Sequence, residues 1–162
     1  MYTYGGAVND ADDIRTRILD YKKPIYVWIN KDAASAGALI SIACDSIYMS
    51  SGASIGAATV VTGDGEQAPD KYQSYMRSIM RSTAEANGRD PKIAEGMVDE
   101  DLQVDSVSEE GKVITFSTSE AIKYGFCDAE LNSVDEILLR QNVKDYEISN
   151  FQLSSSENII SL

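Results

Sequence analysis

Residues 25–29 read Ile-Tyr-Val-Trp-Ile, an unbroken apolar run of β-favouring side chains. Such a run suits a strand covered on both faces, the situation of a parallel sheet sandwiched by helices. A helical pattern precedes it. Over 9–21, Ala11, Ile14 and Ile18 fall on one face, Asn9 stands where a cap belongs, and Lys22-Lys23-Pro24 ends the segment. After the run comes 30–34, then Ser35-Ala36-Gly37 opening an apolar helix to about Cys44, then a short strand over 47–49. Residues 51–58, Ser-Gly-Ala-Ser-Ile-Gly-Ala-Ala, read as a loop with a tight turn, and 62–70 as a polar loop. Residues 71–86 form the clearest helix, with Tyr72, Tyr75, Met76, Ile79, Met80 and Thr83 on its apolar side. Asp90-Pro91 starts another helix, 112–116 alternates as a strand, and 118–124 is a helix closed by Gly125. Ser133 and Glu136 have the spacing of a capping box for a last helix through Leu139. Strands alternating with helices predict βαβ units and an α/β fold around a parallel sheet. Only residues 1–4 stand before the Gly5-Gly6 pair that leads into the first helix, hardly a strand, so the sheet is expected to lack a normal beginning.

The chain has 162 residues, enough for one domain with a hydrophobic core. Its longest apolar stretch, 38–44, is far too short to span a bilayer, and its opening lacks the basic-then-apolar pattern of a signal peptide. A formal net charge of -12 argues against nucleic acid, whose phosphates an acidic surface repels. Cys44 and Cys127 are too few for a disulfide framework, and Cys44 reads as a core residue.

Histidine is absent. This chain alone therefore cannot build a Ser–His–Asp or Cys–His site, or a zinc site based on histidine, and two cysteines cannot make a four-thiolate site. Nucleophilic chemistry would need Lys, Asp, Glu or Tyr as base. Ser35 follows a strand and opens a helix among small neighbours, which presents a hydroxyl beside unpaired backbone N–H groups. The same pattern fits an ordinary N-cap serine. Gly5-Gly6 can aim N–H groups at an oxyanion or can form a plain turn. Of eight lysines, Lys71 starts the best amphipathic helix and has Tyr75 four residues on, so an inward orientation is expected. A solvated helix-start lysine is the alternative.

Four elements occur in order: Tyr4-Gly5-Gly6, Ala34-Ser35-Ala36-Gly37, Gly52-Ala53-Ser54-Ile55-Gly56-Ala57 and Ala68-Pro69-Asp70-Lys71. Together they resemble the NfeD-type, membrane-bound branch of the ClpP-class serine peptidases, relatives of signal peptide peptidase A. The likeness covers roughly residues 4–140. It implies a ClpP/crotonase-like parallel sheet with flanking helices. It makes Ser35 the nucleophile and Lys71 the general base, with oxyanion donors from Gly6 and Ala36. Gly5, Ser54 and Gly56 would support the site, Ser54 by bonding Lys71. The implied enzyme is a serine endopeptidase with a Ser–Lys dyad and no metal or cofactor. It would cleave extended, apolar segments of membrane proteins, with a stomatin-like protein as partner. It would be a homo-oligomer and an extracytoplasmic, soluble domain of a membrane-bound protein. On this reading residues 1–145 are a peptidase domain lacking its first strand–helix–strand unit, and 146–162 are a C-terminal strand or linker. A crotonase-like acyl-CoA enzyme and a non-catalytic scaffold are the rival readings.

Overall fold

The computed structural model describes residues 1–151. In chain order the elements are α1 (Val8–Asp20), β1 (Tyr26–Ile29), β2 (Asp32–Ala34), α2 (Ala36–Ala43), β3 (Ser46–Met49), β4 (Ser54–Gly56), α3 (Asp70–Ala86), α4 (Pro91–Gly96), β5 (Thr115–Ser117), α5 (Thr118–Lys123), β6 (Ala129–Glu130) and α6 (Val134–Arg140). They build two three-stranded sheets. One is parallel, in the order β1-β3-β6, with Val27 beside Ile47 and Ile29 beside Met49. The other has the order β2-β4-β5, with β2 and β4 parallel and β5 antiparallel. Ile29, Ile47 and Met49 are fully buried in one core with Leu39 and Ile42 of α2, Met76 and Met80 of α3, and Phe126. The expected α/β architecture with flanking helices is thus present.

The strand at 25–29 is covered less completely than its composition predicts. Val27 and Ile29 are buried, whereas Tyr26 is exposed and Trp28 partly so. Aromatic rings with a polar atom explain the difference, since they pack on one side and bond on the other. The Trp28 indole N–H donates to Ser50 Oγ and to the Leu131 carbonyl, each at 3.0 Å. The opening residues also differ from expectation. Asn30 donates to the Met1 carbonyl at 3.1 Å, Thr3 to the Asp32 carbonyl at 2.8 Å, and Ala34 to the Thr3 carbonyl at 3.1 Å. Residues 1–3 therefore lie in strand-like pairing along 30–34. Gly37 allows this approach, because a Cβ there would lie 2.5 Å from Thr3 Cγ2.

Two strands were hidden in segments that read as loops: β2 within 30–34 and β4 within 51–58. At three residues each, they are too short for a periodic signal. β6 is shorter still. The helix at 9–21 starts one residue earlier, and its N-cap is Ala7 with no side-chain bond, so Asn9 does not cap it. Asp90 caps α4 as expected, its side chain accepting from Lys92 N. Ser133 accepts from Glu136 N, but the Glu136 carboxylate turns to Asn132 N, leaving half a capping box. The complete box is Ser117 with Glu120. Residues 146–151 are irregular, and 152–153 of the expected weak strand lie outside the described residues. Both cysteines are buried and free, and burial pushes each thiol up to about 11.

The C-terminal end of α2 is closed by two side chains from the α3–α4 connection. Asn87 Nδ2 donates to the Ile42 and Ala43 carbonyls, each at 2.8 Å, and Arg89 Nη1 to Ile42 at 2.9 Å and Cys44 at 3.2 Å. A cation there offsets the negative end of the helix dipole. Arg89 is 8% exposed, so removing its guanidinium leaves buried carbonyls unpaired. Arg89→Leu should destabilise the fold by roughly 2–4 kcal/mol in urea unfolding. An unchanged midpoint would show that Asn87 alone suffices.

Candidate active site

Ser35 stands between β2 and α2, at φ 54° and ψ -116°. A non-glycine residue reaches that conformation only against strain of about 1–3 kcal/mol, so its surroundings must hold it. They do so on both sides of the residue. Ser35 N–H is shared by the carbonyls of Gly56 at 3.0 Å and Ala57 at 3.2 Å, while its own carbonyl accepts from Ala38 at 3.0 Å and Leu39 at 3.2 Å. The result is a sharp strand-to-helix turn with the serine at its apex.

Gly5 passes directly over that apex. A Cβ on Gly5 would sit 3.0 Å from Ser35 Cβ and 3.4 Å from its Oγ, and its φ of 134° also requires glycine. Its N–H is engaged by Thr3 Oγ1 at 3.2 Å. Gly6 N–H and Ala36 N–H have no acceptor among the described residues. Ala36 is the first residue of α2, so its amide is one of the unpaired donors at that helix start. Serine hydroxyl, Gly5-Gly6 and the start of α2 are thus brought together.

Gly56 acts behind the serine. Its φ is 136°, and a Cβ there would lie 2.4 Å from the Ile114 carbonyl oxygen. Only glycine lets β4 approach the residue before β5 this closely, and the carbonyl of Gly56 is what receives Ser35 N–H. Ser54 is placed differently from expectation. Its hydroxyl donates to Asp32 Oδ1 at 2.8 Å, its register neighbour in the β2–β4 pair, rather than to Lys71.

Lys71 is also placed differently. α3 buries Gln73, Met76, Ile79, Met80, Thr83 and Ala84. Lys71 precedes Gln73 by two residues, about 200° around the helix, and therefore points outward. Met76, Ile79, Met80 and Thr83 of the expected face are buried, but at its start Tyr72 and Tyr75 are exposed, and Tyr75 OH donates to Asp12 Oδ2 at 2.7 Å on α1. Lys71 Nζ rests 4.7 Å from the Tyr72 ring centroid. Among the described residues it makes no ion pair, and no hydrogen bond joins it to Ser35.

Two hollows that share a wall lie between Ser35 and the start of α3, and Lys71 lines neither. One hollow of about 350 Å³ is lined by Tyr4, Gly5, Gly6 and Ser35. An adjoining hollow of about 330 Å³ is lined by Asn9, Ala68 and Tyr72. Ala7, Val8, Val60 and Val61 line both. Val60 and Val61 are functional candidates that sequence reasoning missed. They belong to a hairpin over 60–68, closed by a Val61–Gln67 bridge and by Ala68 N–H to the Val60 carbonyl at 2.9 Å. The signal was available in Thr62-Gly63-Asp64-Gly65, a turn-forming cluster directly after two β-branched residues.

Comparison with known proteins gives consistent matches. The family model described as NfeD1b, N-terminal domain, matches residues 1–151. The membrane protein NfeD1b of Bacillus subtilis is 33% identical over 156 residues, covering 96% of this chain and 36% of that protein. The membrane-bound protease PH1510 of Pyrococcus horikoshii is 29% identical over 148 residues, covering 86% of this chain and 31% of the protease. The chain thus spans about a third of the length of these relatives. Among its described residues no helix is long and apolar enough to cross a membrane. Among solved structures, a lysine-to-alanine mutant of the 1510-N membrane-bound stomatin-specific protease, in complex with a substrate peptide, superposes with a TM-score of 0.77. It is 25% identical and covers 99% of this chain and 79% of that one. The serine-to-alanine mutant of the same protease gives 0.70 at 28% identity, covering 86% and 66%. The α/β fold is that of these ClpP-like protease structures, and the chain belongs to the NfeD1b N-terminal-domain family.

Proposed function

We propose that the chain is the peptidase unit of a membrane-linked serine endopeptidase, with Ser35 as nucleophile and Lys71 as general base. The observation that carries this reading is the strained Ser35 turn, with Gly5 packed over it and the free amides of Gly6 and Ala36 beside it. Strain of this kind is retained where a reactive group must be presented. The lack of histidine leaves lysine as the base that the matching motif provides. The relatives of known structure include a peptide-bound form in which a lysine was replaced by alanine, which supports the same choice.

In the proposed reaction a peptide lies along the cleft with its scissile carbonyl over Ser35. Lys71 leaves the Tyr72 ring, swings toward the serine and, in its neutral form, takes the hydroxyl proton. Ser35 Oγ bonds to the carbonyl carbon, and the oxyanion accepts from Gly6 and Ala36 N–H. The protonated lysine then gives its proton to the departing amine as the C–N bond breaks. Water, deprotonated by Lys71, attacks the acyl-serine and releases the second product. Apolar walls at Val8, Val60 and Val61 suit an extended, apolar segment of a membrane protein. A stomatin-like substrate follows the named specificity of the Pyrococcus relative. An acyl-CoA reaction is less well served by the Ala68-Pro69-Asp70-Lys71 element, which offers an amine base. Residues 1–145 are the proposed peptidase unit. An extracytoplasmic homo-oligomer completes the reading.

Ser35→Ala and Lys71→Ala should each lower peptide hydrolysis at least about 100-fold. The double variant should be no worse than either, because the two groups act as one unit. A Lys71→Ala enzyme turning over at the wild-type rate would remove lysine from the mechanism.

A further inference from the structure

Gln73 is a polar side chain that the proposed chemistry does not use, yet it is 4% exposed in the buried face of α3. Its carboxamide is engaged at both ends. Oε1 accepts from Val60 N–H at 3.0 Å, while Nε2 donates to the Val60 carbonyl at 2.7 Å and to the Ala68 carbonyl at 3.1 Å. Val60 and Ala68 are the first and last residues of the hairpin, already joined to each other by Ala68 N–H. One side chain thus ties both feet of the hairpin to the helix that carries Lys71.

The tie stands at the cleft. Val60 and Val61 form the wall facing Ala7 and Val8, and Ala68 and Tyr72 close the second hollow. Beyond its feet the hairpin is exposed. Its turn is held by its own bonds, Thr62 N–H to the Glu66 carbonyl at 2.8 Å and the Thr62 hydroxyl to Asp64. Among the described residues, its hydrogen bonds to a buried side chain of α3 are those at Val60 and Ala68. A fully bonded amide can do this where an apolar residue cannot, because Val60 N–H and the Ala68 carbonyl would lose their partner and the Val60 carbonyl would keep only Ala68 N–H.

We propose that Gln73 is a positioning residue for the peptide cleft: it fixes the Val60–Val61 wall against α3 and so sets the width of the groove in which an apolar peptide segment lies. The proposal deepens the peptidase reading and rests on it. Gln73 touches neither Ser35 nor substrate and acts through the hairpin.

The test uses the whole chain with Ser35→Ala, so that peptide binding is measured without turnover, and an extended apolar peptide carrying a fluorophore as probe. Amide hydrogen exchange at 60–68 is followed in parallel. Gln73→Leu should weaken the peptide about tenfold or more and speed exchange of the Val60 and Ala68 amides by a similar factor, with β3 amides unchanged. In chains that keep Ser35, a small fluorophosphonate should still label it in the Gln73→Leu variant. Gln73→Glu is the second variant in case the leucine form does not fold. Its carboxylate can accept from Val60 but cannot donate to the carbonyls, so peptide affinity should fall at neutral pH and recover as acid protonates the new carboxyl. Faster exchange with unchanged peptide affinity would overturn the positioning role, and unchanged exchange would overturn the tie itself. Absence of Ser35 labelling in the otherwise unaltered chain would instead strike the peptidase reading, and the exchange contrast would still judge the tie.

Discussion

The amide of Ser35 is shared between the carbonyls of Gly56 and Ala57, and the rest of the site depends on that pair of bonds. They hold the serine in a conformation it would not keep alone. The pair exists only because β4 lies against the segment before β5, an approach that a single Cβ at Gly56 would prevent. Behind that contact stands β5, whose Phe116 stacks on Tyr124 and meets Phe126 edge-on. A close-packed aromatic cluster resists small displacements, so strain at Ser35 is balanced against the packing of the strand paired with β4. Gly5 then closes over the apex and leaves room for no side chain of its own.

The second constraint is the direction of the helices. α2 starts at Ser35, α1 starts beside Gly6, and α3 starts beside Lys71. The first residues of α1 and α3 contribute Val8 and Tyr72 to the cleft. Three positive helix ends near one groove favour negative charge developing there. The cost of such a site is met away from it. Arg89 and Asn87 close the far end of α2, and burial depresses the guanidinium pKa, although it still carries its charge in that helix-end setting.

Much of this was legible in the residues. The long helices, the strand at 25–29 and the Asp90-Pro91 helix start each had a pattern several residues long. Ser35 and Gly5-Gly6 stood out as small residues beside strand and helix ends, a pattern that also fits a plain cap and a plain turn; the resemblance to the NfeD-type peptidases singled them out and added Gly56. What escaped was short or set by tertiary packing. β2 and β4 have three residues each, too few to show a period. The buried face of α3 is legible in Met76, Ile79, Met80 and Thr83 but not at its start, where Tyr72 and Tyr75 are exposed. Gln73 is the inward residue, and its polarity concealed that it would be buried and fully bonded. The partner of Ser54 was misjudged because strand register, which places Asp32 beside it, cannot be read from either segment alone.

The central claim, that this fold presents Ser35 as a nucleophile, is tested most directly by fluorophosphonate labelling followed by peptide mass mapping. The account predicts one adduct, on Ser35, formed at least about ten times more slowly in Gly5→Ala, whose methyl group would crowd the serine. No adduct on Ser35, or equal labelling of several serines in the folded chain, would contradict it.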